Sequence, residues 1–151
     1  MTERMHMEKV IPGAYKAVLG LEKYCVANVD PTVLELVKLR ASMVNGCAFC
    51  VNMHSHDATA AGESPERLFQ VAAWHDAVCF TPRERAALAL TDAVTKLGEH
   101  GVPDEVWNEA RAWWSEEEVA NLIVAIATIN VWNRISITTR RAPQSYATAT
   151  A

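Results

Sequence analysis

The chain has 151 residues, half of them apolar, and a formal net charge of −4. This length fits one domain spanning residues 1–151, or one domain that completes its core by self-association. A nucleic-acid partner is not expected, because proteins that bind nucleic acids carry a basic stripe and the densest basic spot here is only Arg140–Arg141.

Membrane attachment and secretion are also not expected from the sequence. The longest apolar run, residues 119–132, is interrupted by Asn121, Thr128 and Asn130 and is too short to cross a bilayer. The first ten residues lack the apolar core of a signal peptide. We therefore expect a cytoplasmic protein without a membrane partner.

Helix-start signals recur along the whole chain and predict an all-α fold of about six to seven helices. Two of them are capping boxes, in which Thr81 precedes Pro82 and Glu84, and Ser115 precedes Glu118. No stretch alternates apolar and polar residues over the length of a strand. In chain order we predict helices over residues 8–24, 31–44, 48–61, 65–75, 82–97, 103–113 and 116–136. Residues 147–151 are expected to be a mobile tail.

The segment around the second predicted turn carries the chemistry. Asn45-Gly46 ends one helix, and Cys47 opens the next with Cys50 one turn later on the same face. In a reducing compartment such a Cys-x-x-Cys pair is more often redox-active or metal-binding than structural. Both thiols fall in a first helical turn, where free N–H groups and the helix dipole stabilise a thiolate.

Two further residues complete a plausible thiol site. His54 lies four residues after Cys50 on the same helical stripe, where an imidazole can take the thiol proton. Glu35 comes from the preceding helix, which the tight turn folds back, and a carboxylate near His54 would orient its ring. The candidate catalytic residues are therefore Cys50, Cys47, His54 and Glu35.

The spacing of these residues resembles the signature of a known family. Residues 35–54 read Glu-x(6)-Ser-x-x-Asn-x-Cys-x-x-Cys-x-x-x-His, as in the alkylhydroperoxidase AhpD-like proteins of the carboxymuconolactone decarboxylase family. Later segments, 80–85, 102–105 and 131–134, are similar to the family's later helices in order. The resemblance covers roughly residues 10–140 and implies the AhpD-like helical fold.

The resemblance also implies a role for each candidate residue. Cys50 would be the peroxidatic cysteine, Cys47 would resolve its sulfenic acid into a disulfide, His54 would activate Cys50, and Glu35 would act on His54. From the residues alone the roles of the two cysteines conflict, since the helix dipole favours Cys47 as nucleophile and the nearness of His54 favours Cys50. Phe49 is a departure, because some members carry a histidine at that position.

The leading interpretation is a thiol-dependent peroxidase or disulfide oxidoreductase. It would need no bound cofactor and no metal, and its reducing equivalents would come from a lipoyl-bearing or thioredoxin-like partner. The resemblance further implies a homo-oligomer, a trimer or a hexamer. We expect the remaining cysteines, Cys25 and Cys79, to be packing residues.

Three alternatives remain open. The first is a non-enzymatic redox sensor, whose disulfide changes its interactions. The second is a carboxymuconolactone decarboxylase-like enzyme, although members that decarboxylate a lactone lack the cysteine pair. The third is a zinc half-site, in which His54 would be the third ligand and His56 a poor fourth on another face.

Overall fold

A computed structural model describes residues 2–143, and over that range the chain is all-helical. Among the described residues, β pairing is limited to one isolated bridge between Gly98 and Gly101. The predicted all-α class is confirmed, and the predicted tail at 147–151 lies outside the described residues. The helices are α1 Met7–Val10, α2 Pro12–Asn28, α3 Pro31–Asn45, α4 Ala48–Ala60, α5 Pro65–Gln70, α6 Pro82–Thr95, α7 Asp104–Trp113 and α8 Glu116–Thr139.

The first predicted helix, residues 8–24, is wrong in its form, since the segment folds as the two helices α1 and α2. The break is at Ile11, whose φ of −134° and ψ of 66° lie outside the helical region. Its cause is Pro12, because proline disfavours the α conformation in the residue before it. Proline also fits the first helical position, where α2 begins.

The predicted helix over 65–75 is also too long. It ends at Gln70 and continues as a 3₁₀ turn over Val71–Ala73. The Arg40 guanidinium donates to the freed carbonyl oxygens of Val71 and Ala72. Arg40 also pairs with Asp92 at 2.6 Å, and this ion pair ties α3 to α6.

The core forms where α3 and α8 pack together. Helix α3 contacts α4 and α6 as well, and α8 also contacts α2, α4, α6 and α7. The fully buried Val37 and Ile126 side chains share the core cluster in this region, and Ile129 of α8 packs in a neighbouring one with Cys47 and Cys50. The α3–α4 hairpin is therefore held against the centre of the fold from one side by α8.

Helix α8 is longer than the predicted 116–136 and ends at Thr139. At that length it is apolar enough to cross a membrane, which the sequence interpretation did not expect. Half of its most apolar window (50%) is buried inside the fold, as in the core helix of a globular protein. We therefore describe α8 as the core helix.

A glycine turn joins α3 to α4 and sets the position of the first cysteine. Gly46 adopts the left-handed conformation, with φ 70° and ψ 33°, which costs a residue without Cβ little. The Gly46 N–H donates to the Met43 carbonyl and the Cys47 N–H donates to the Ser42 carbonyl at 2.9 Å. This Schellman-type ending stops α3 and places Cys47 directly before α4.

Candidate functional site

The two cysteines lie at the start of α4. Cys47 is the N-cap residue of the helix, and Cys50 is its third residue. Both are free thiols, and each side chain is about 1% exposed. The Sγ of Cys50 lies 3.9 Å from the Ser136 hydroxyl of α8, which closes the site from the other side.

Glu35 and His54 are brought together as the sequence predicted. The Glu35 Oε2 atom lies 2.9 Å from Nδ1 of His54, which is 4% exposed. Burial opposes ionisation of Glu35, but the hydrogen bond and charge of His54, with the charge of Lys38, lower its pKa below the ordinary value. An ionised carboxylate only accepts, so Nδ1 carries the ring hydrogen and Nε2 is left as the basic nitrogen.

Lys38 was not among the predicted site residues. It is 4% exposed and lies between Glu22 at 2.5 Å and Glu35 at 3.3 Å. Burial lowers the pKa of Lys38, but Glu35 and Glu22 together raise it above the ordinary value, so the ammonium stays charged. The positive charge of Lys38 thus compensates the negative charge of Glu35, the carboxylate that orients His54.

The two sulfurs form a hydrogen-bonded pair with opposite pKa shifts. The hydrogen bond from the Cys50 thiol lowers the pKa of Cys47 from 9.0 to about 7, assisted by backbone N–H groups of the first turn of α4. Holding that proton raises the pKa of Cys50, and burial raises it further. Of the two thiols, Cys47 therefore ionises first, as the dipole argument favours, and Cys50 must lose its proton before it can attack.

The side-chain amide of Asn133, on α8, is held in one orientation next to both cysteine sulfurs. The Ser42 hydroxyl donates to the Lys38 carbonyl at 2.7 Å, so its oxygen accepts from Nδ2 of Asn133 at 3.0 Å. Asn45 donates to the other end of that amide, Oδ1, at 2.8 Å. The orientation of Asn133 is thereby fixed by its partners. Its amide lies within hydrogen-bonding reach of both thiols and lowers the pKa of each.

The cysteines line two different cavities. Cys50 lines a cavity of about 440 Å³ together with His54 and Glu35. Cys47 lines a second cavity, formed by the α3–α4 turn and the residues that follow α8, up to Pro143. A ligand in the first cavity can reach the Cys50 sulfur and the His54 ring together.

The residues that could hold a metal ion differ from those that the sequence analysis considered as zinc ligands. Oxygen or nitrogen atoms of Glu35, His54 and Asp57 lie within 4.8 Å of one another. Neither cysteine belongs to this group, so the combination of Cys47, Cys50, His54 and His56 is not assembled as one ligand set. The Glu35 carboxylate in it already holds His54 and Lys38.

The sequence interpretation missed the contribution of α8 to the site. Neither Asn133 nor Ser136 was among the candidate site residues. Both are buried, at 0% and 4% exposure. The signal was present, because Asn130, Asn133 and Ser136 recur every three residues in an otherwise apolar helix, and a buried polar stripe requires partners.

The hydrogen-bonded sulfur pair leads to a prediction for thiolate formation. Titrated by its ultraviolet absorbance, the first thiolate of the native dithiol should form with a midpoint of about 7. Cys50→Ala removes the donor but leaves Cys47 buried, so the midpoint should rise above that of the native pair. Cys50→Ser retains a donor and should keep the midpoint below that of the alanine variant. Equal midpoints in the two variants would show that the Cys50 contact does not lower the pKa.

Comparison with known proteins gives consistent matches. A profile of the carboxymuconolactone decarboxylase family matches residues 12–93. The uncharacterised protein YdfG of Bacillus subtilis (strain 168) is 38% identical over 138 residues, which cover 91% of this chain and 94% of that protein.

Solved structures resemble the fold closely. A protein of unknown function from Agrobacterium tumefaciens, with a suggested antioxidant-defence role of the AhpD type, is 39% identical with a TM-score of 0.92, covering 95% of this chain and 99% of its own. The debrominase Bmp8 in its apo form has a TM-score of 0.80 at 23% identity, covering 89% of this chain and 73% of its own, and shares the fold alone.

Proposed function

This chain belongs to the carboxymuconolactone decarboxylase family as an AhpD-like member, and we propose that it is a thiol-dependent peroxidase that reduces hydroperoxides through Cys50 and Cys47. The observation that carries the proposal is the cavity in which the Cys50 sulfur lies one helical turn from a His54 ring held by Glu35. A nucleophile, a base and a group that orients the base thus adjoin one ligand-sized space.

The first step makes a bond between sulfur and oxygen. Nε2 of His54 accepts the proton of the Cys50 thiol, and the thiolate attacks the terminal oxygen of the hydroperoxide. The O–O bond breaks, Cys50 becomes a sulfenic acid, and the alkoxide leaves with the proton from His54 as an alcohol. Glu35 stabilises the imidazolium that exists between the two proton transfers.

The second step uses the other thiolate. The pKa of Cys47 is lowered to about 7, so its thiolate is available to attack the sulfenic acid sulfur of Cys50. A disulfide forms as the S–O bond of the sulfenic acid breaks, and the departing hydroxide takes a proton from solvent to become water. Two electrons from an external dithiol, of a lipoyl or thioredoxin-like carrier, then restore both thiols and close the cycle.

The proposal extends to the assembly and the location of the protein. Helix α2 exposes Leu21, Tyr24 and Val26 at 46–59%. Apolar side chains that share one exposed helix are typical of a surface covered by a second subunit. A homo-oligomer, in threes or sixes, and a cytoplasmic location remain proposals that follow the family resemblance.

The proposed activity is tested by following hydroperoxide loss with an excess of a dithiol such as dihydrolipoamide. The native protein should consume many equivalents of cumene hydroperoxide per chain. The matched control is Cys79→Ser, which removes a partly exposed thiol outside the site and should retain turnover. Oxidation that stops after one equivalent would instead indicate a redox sensor, and lactone decarboxylation by a variant lacking both Cys47 and Cys50 would indicate a decarboxylase.

A further inference from the structure

The walls of the cavity at Cys50 are mainly apolar. Its volume of about 440 Å³ is that of a small-molecule site. Aromatic and aliphatic side chains from α2, α4 and α8 form most of the lining: Tyr15, Leu19, Val26, Phe49, Met53 and Trp132. The Tyr15 and Trp132 rings meet edge to face, with centroids 5.0 Å apart. A ligand that fills the cavity therefore has an apolar body.

The charges at the His54 end of the cavity are already matched. Lys38 is bound by Glu22 and Glu35, and the second oxygen of Glu35 is bound by His54. Asp57 lies exposed at the same end. An anionic group of a ligand would be repelled from this end, because the carboxylates there have no further cation to share.

Arg141 supplies a cation at the opposite end. The chain turns at Arg140, which is left-handed with φ 57°, and the Arg141 N–H donates to the Ser136 carbonyl at 2.9 Å. The guanidinium lies 4.6 Å from the centroid of the Phe49 ring. Its Nη1 donates to the Tyr15 hydroxyl at 3.3 Å. The side chain is thus held in place over the residue that precedes Cys50.

This guanidinium has no carboxylate within ion-pair distance among residues 2–143. Its direct partners are a neutral hydroxyl and an aromatic face. Burial opposes its charge, but Tyr15, Glu8 and Glu3 raise the pKa of Arg141, the two carboxylates from longer range. A guanidinium that lines an apolar cavity and keeps free donors is well suited to a carboxylate.

We propose that Arg141 binds the carboxylate of the substrate, and that the preferred substrate is an organic hydroperoxide with an apolar body and one anionic group. This inference rests on the proposed peroxidase function. Phe49 and Asp57 are eight residues apart on α4, about 12 Å along the helix. A substrate oriented by Arg141 therefore keeps its anionic end away from Asp57 and runs its apolar body along the wall that contains Cys50.

The test compares two compounds that differ in one negative charge and one methyl group. These are cumene hydroperoxide bearing a para carboxylate and the methyl ester of the same compound. The native protein should reduce the acid with a kcat/KM about tenfold higher than that of the ester, as expected for a charge-assisted contact. The ratio should fall as salt is added, because ions screen this attraction.

Two variants of equal charge change locate the effect. Arg141→Gln should bring the ratio of acid to ester close to one. Arg140→Gln, the matched control, removes a neighbouring charge that does not line the Cys50 cavity and should keep the native ratio. A native ratio near one, or an Arg141→Gln variant that keeps the tenfold ratio, would overturn the proposal.

Binding of the corresponding alcohols separates this inference from the peroxidase function. The carboxylated cumyl alcohol has no O–O bond, so its affinity can be measured by calorimetry whether or not the protein turns over. We expect it to bind about tenfold more tightly than its methyl ester, with the difference lost in Arg141→Gln. Equal affinities would overturn the anion site even if peroxides are reduced. Retained preference without any peroxide turnover would support the site and contradict the peroxidase proposal.

Discussion

Replacing Cys50 by serine should abolish reaction with hydroperoxide, while replacing Cys47 by serine should leave a protein that reacts once and stops. The reason is the position of the two sulfurs, since Cys50 shares its cavity with His54 and Cys47 lines another. In Cys47→Ser the thiolate neighbour that raises the pKa of Cys50 is gone, so Cys50 can ionise more readily. Its sulfenic acid then has no thiol to resolve it.

The measurement is the rate of peroxide loss, with a dimedone-type reagent and mass spectrometry to locate the sulfenic acid. We expect label on Cys50 in Cys47→Ser and no label on Cys47 in Cys50→Ser. Cys79→Ser should behave as the native protein and controls for the loss of one thiol. Because Cys47 ionises first, the opposite labelling pattern is the direct alternative, and it would reverse the two roles.

The second large effect should follow from replacing His54. His54→Ala removes the only base that we place beside Cys50, and the second-order rate with peroxide should fall by about 10²–10⁴-fold. The alanine leaves space for an added imidazole, which should restore part of the rate. A rate within about threefold of the native one would remove His54 from the mechanism.

Glu35 acts through His54, so its replacement should cost less. Glu35→Gln also leaves Lys38 with one carboxylate partner in place of two. The effect of this lost ion pair on the rate needs its own control. Glu22→Gln provides it, because it removes the other partner of Lys38 without touching His54. We expect a loss of about tenfold for Glu35→Gln, a smaller one for Glu22→Gln, and partial recovery in Glu35→Asp. Equal losses in the two glutamine variants would mean that Lys38, and not His54, is what Glu35 supports.

The helical part of the fold was predictable because its signals are local. A threonine or serine cap with a glutamate three residues later starts a helix whatever surrounds it, and both Thr81 and Ser115 do so here. The errors have non-local or conflicting causes. At residue 71 the helix ends where the Arg40 guanidinium, distant in sequence, donates to the backbone carbonyl. At Ile11 the following proline breaks the helix although the apolar pattern continues through it.

In the candidate site, too, the local features were predictable from the sequence and the non-local ones were not. Glu35 and His54 could be paired from sequence, because a two-residue turn between two helices brings facing positions together. Asn133 and Ser136 are more than 80 residues from the cysteines along the chain, and no spacing rule relates them to α4. The distribution of the proton between Cys47 and Cys50 could not be predicted either, because it depends on a contact between the two sulfurs themselves.

The turn at Gly46 limits how far oxidation of the cysteine pair can change the surrounding backbone. The Cys47 N–H is held by the Ser42 carbonyl, and the Cys47 carbonyl accepts from Val51 at 2.9 Å, so the backbone on both sides of this sulfur is already fixed. A disulfide between an N-cap residue and the third residue of the helix should form with a small backbone adjustment. Limited reorganisation between the two redox states suits repeated cycling. A redox sensor needs a structural element that can adopt two arrangements. This rigid corner between two helices has a single arrangement.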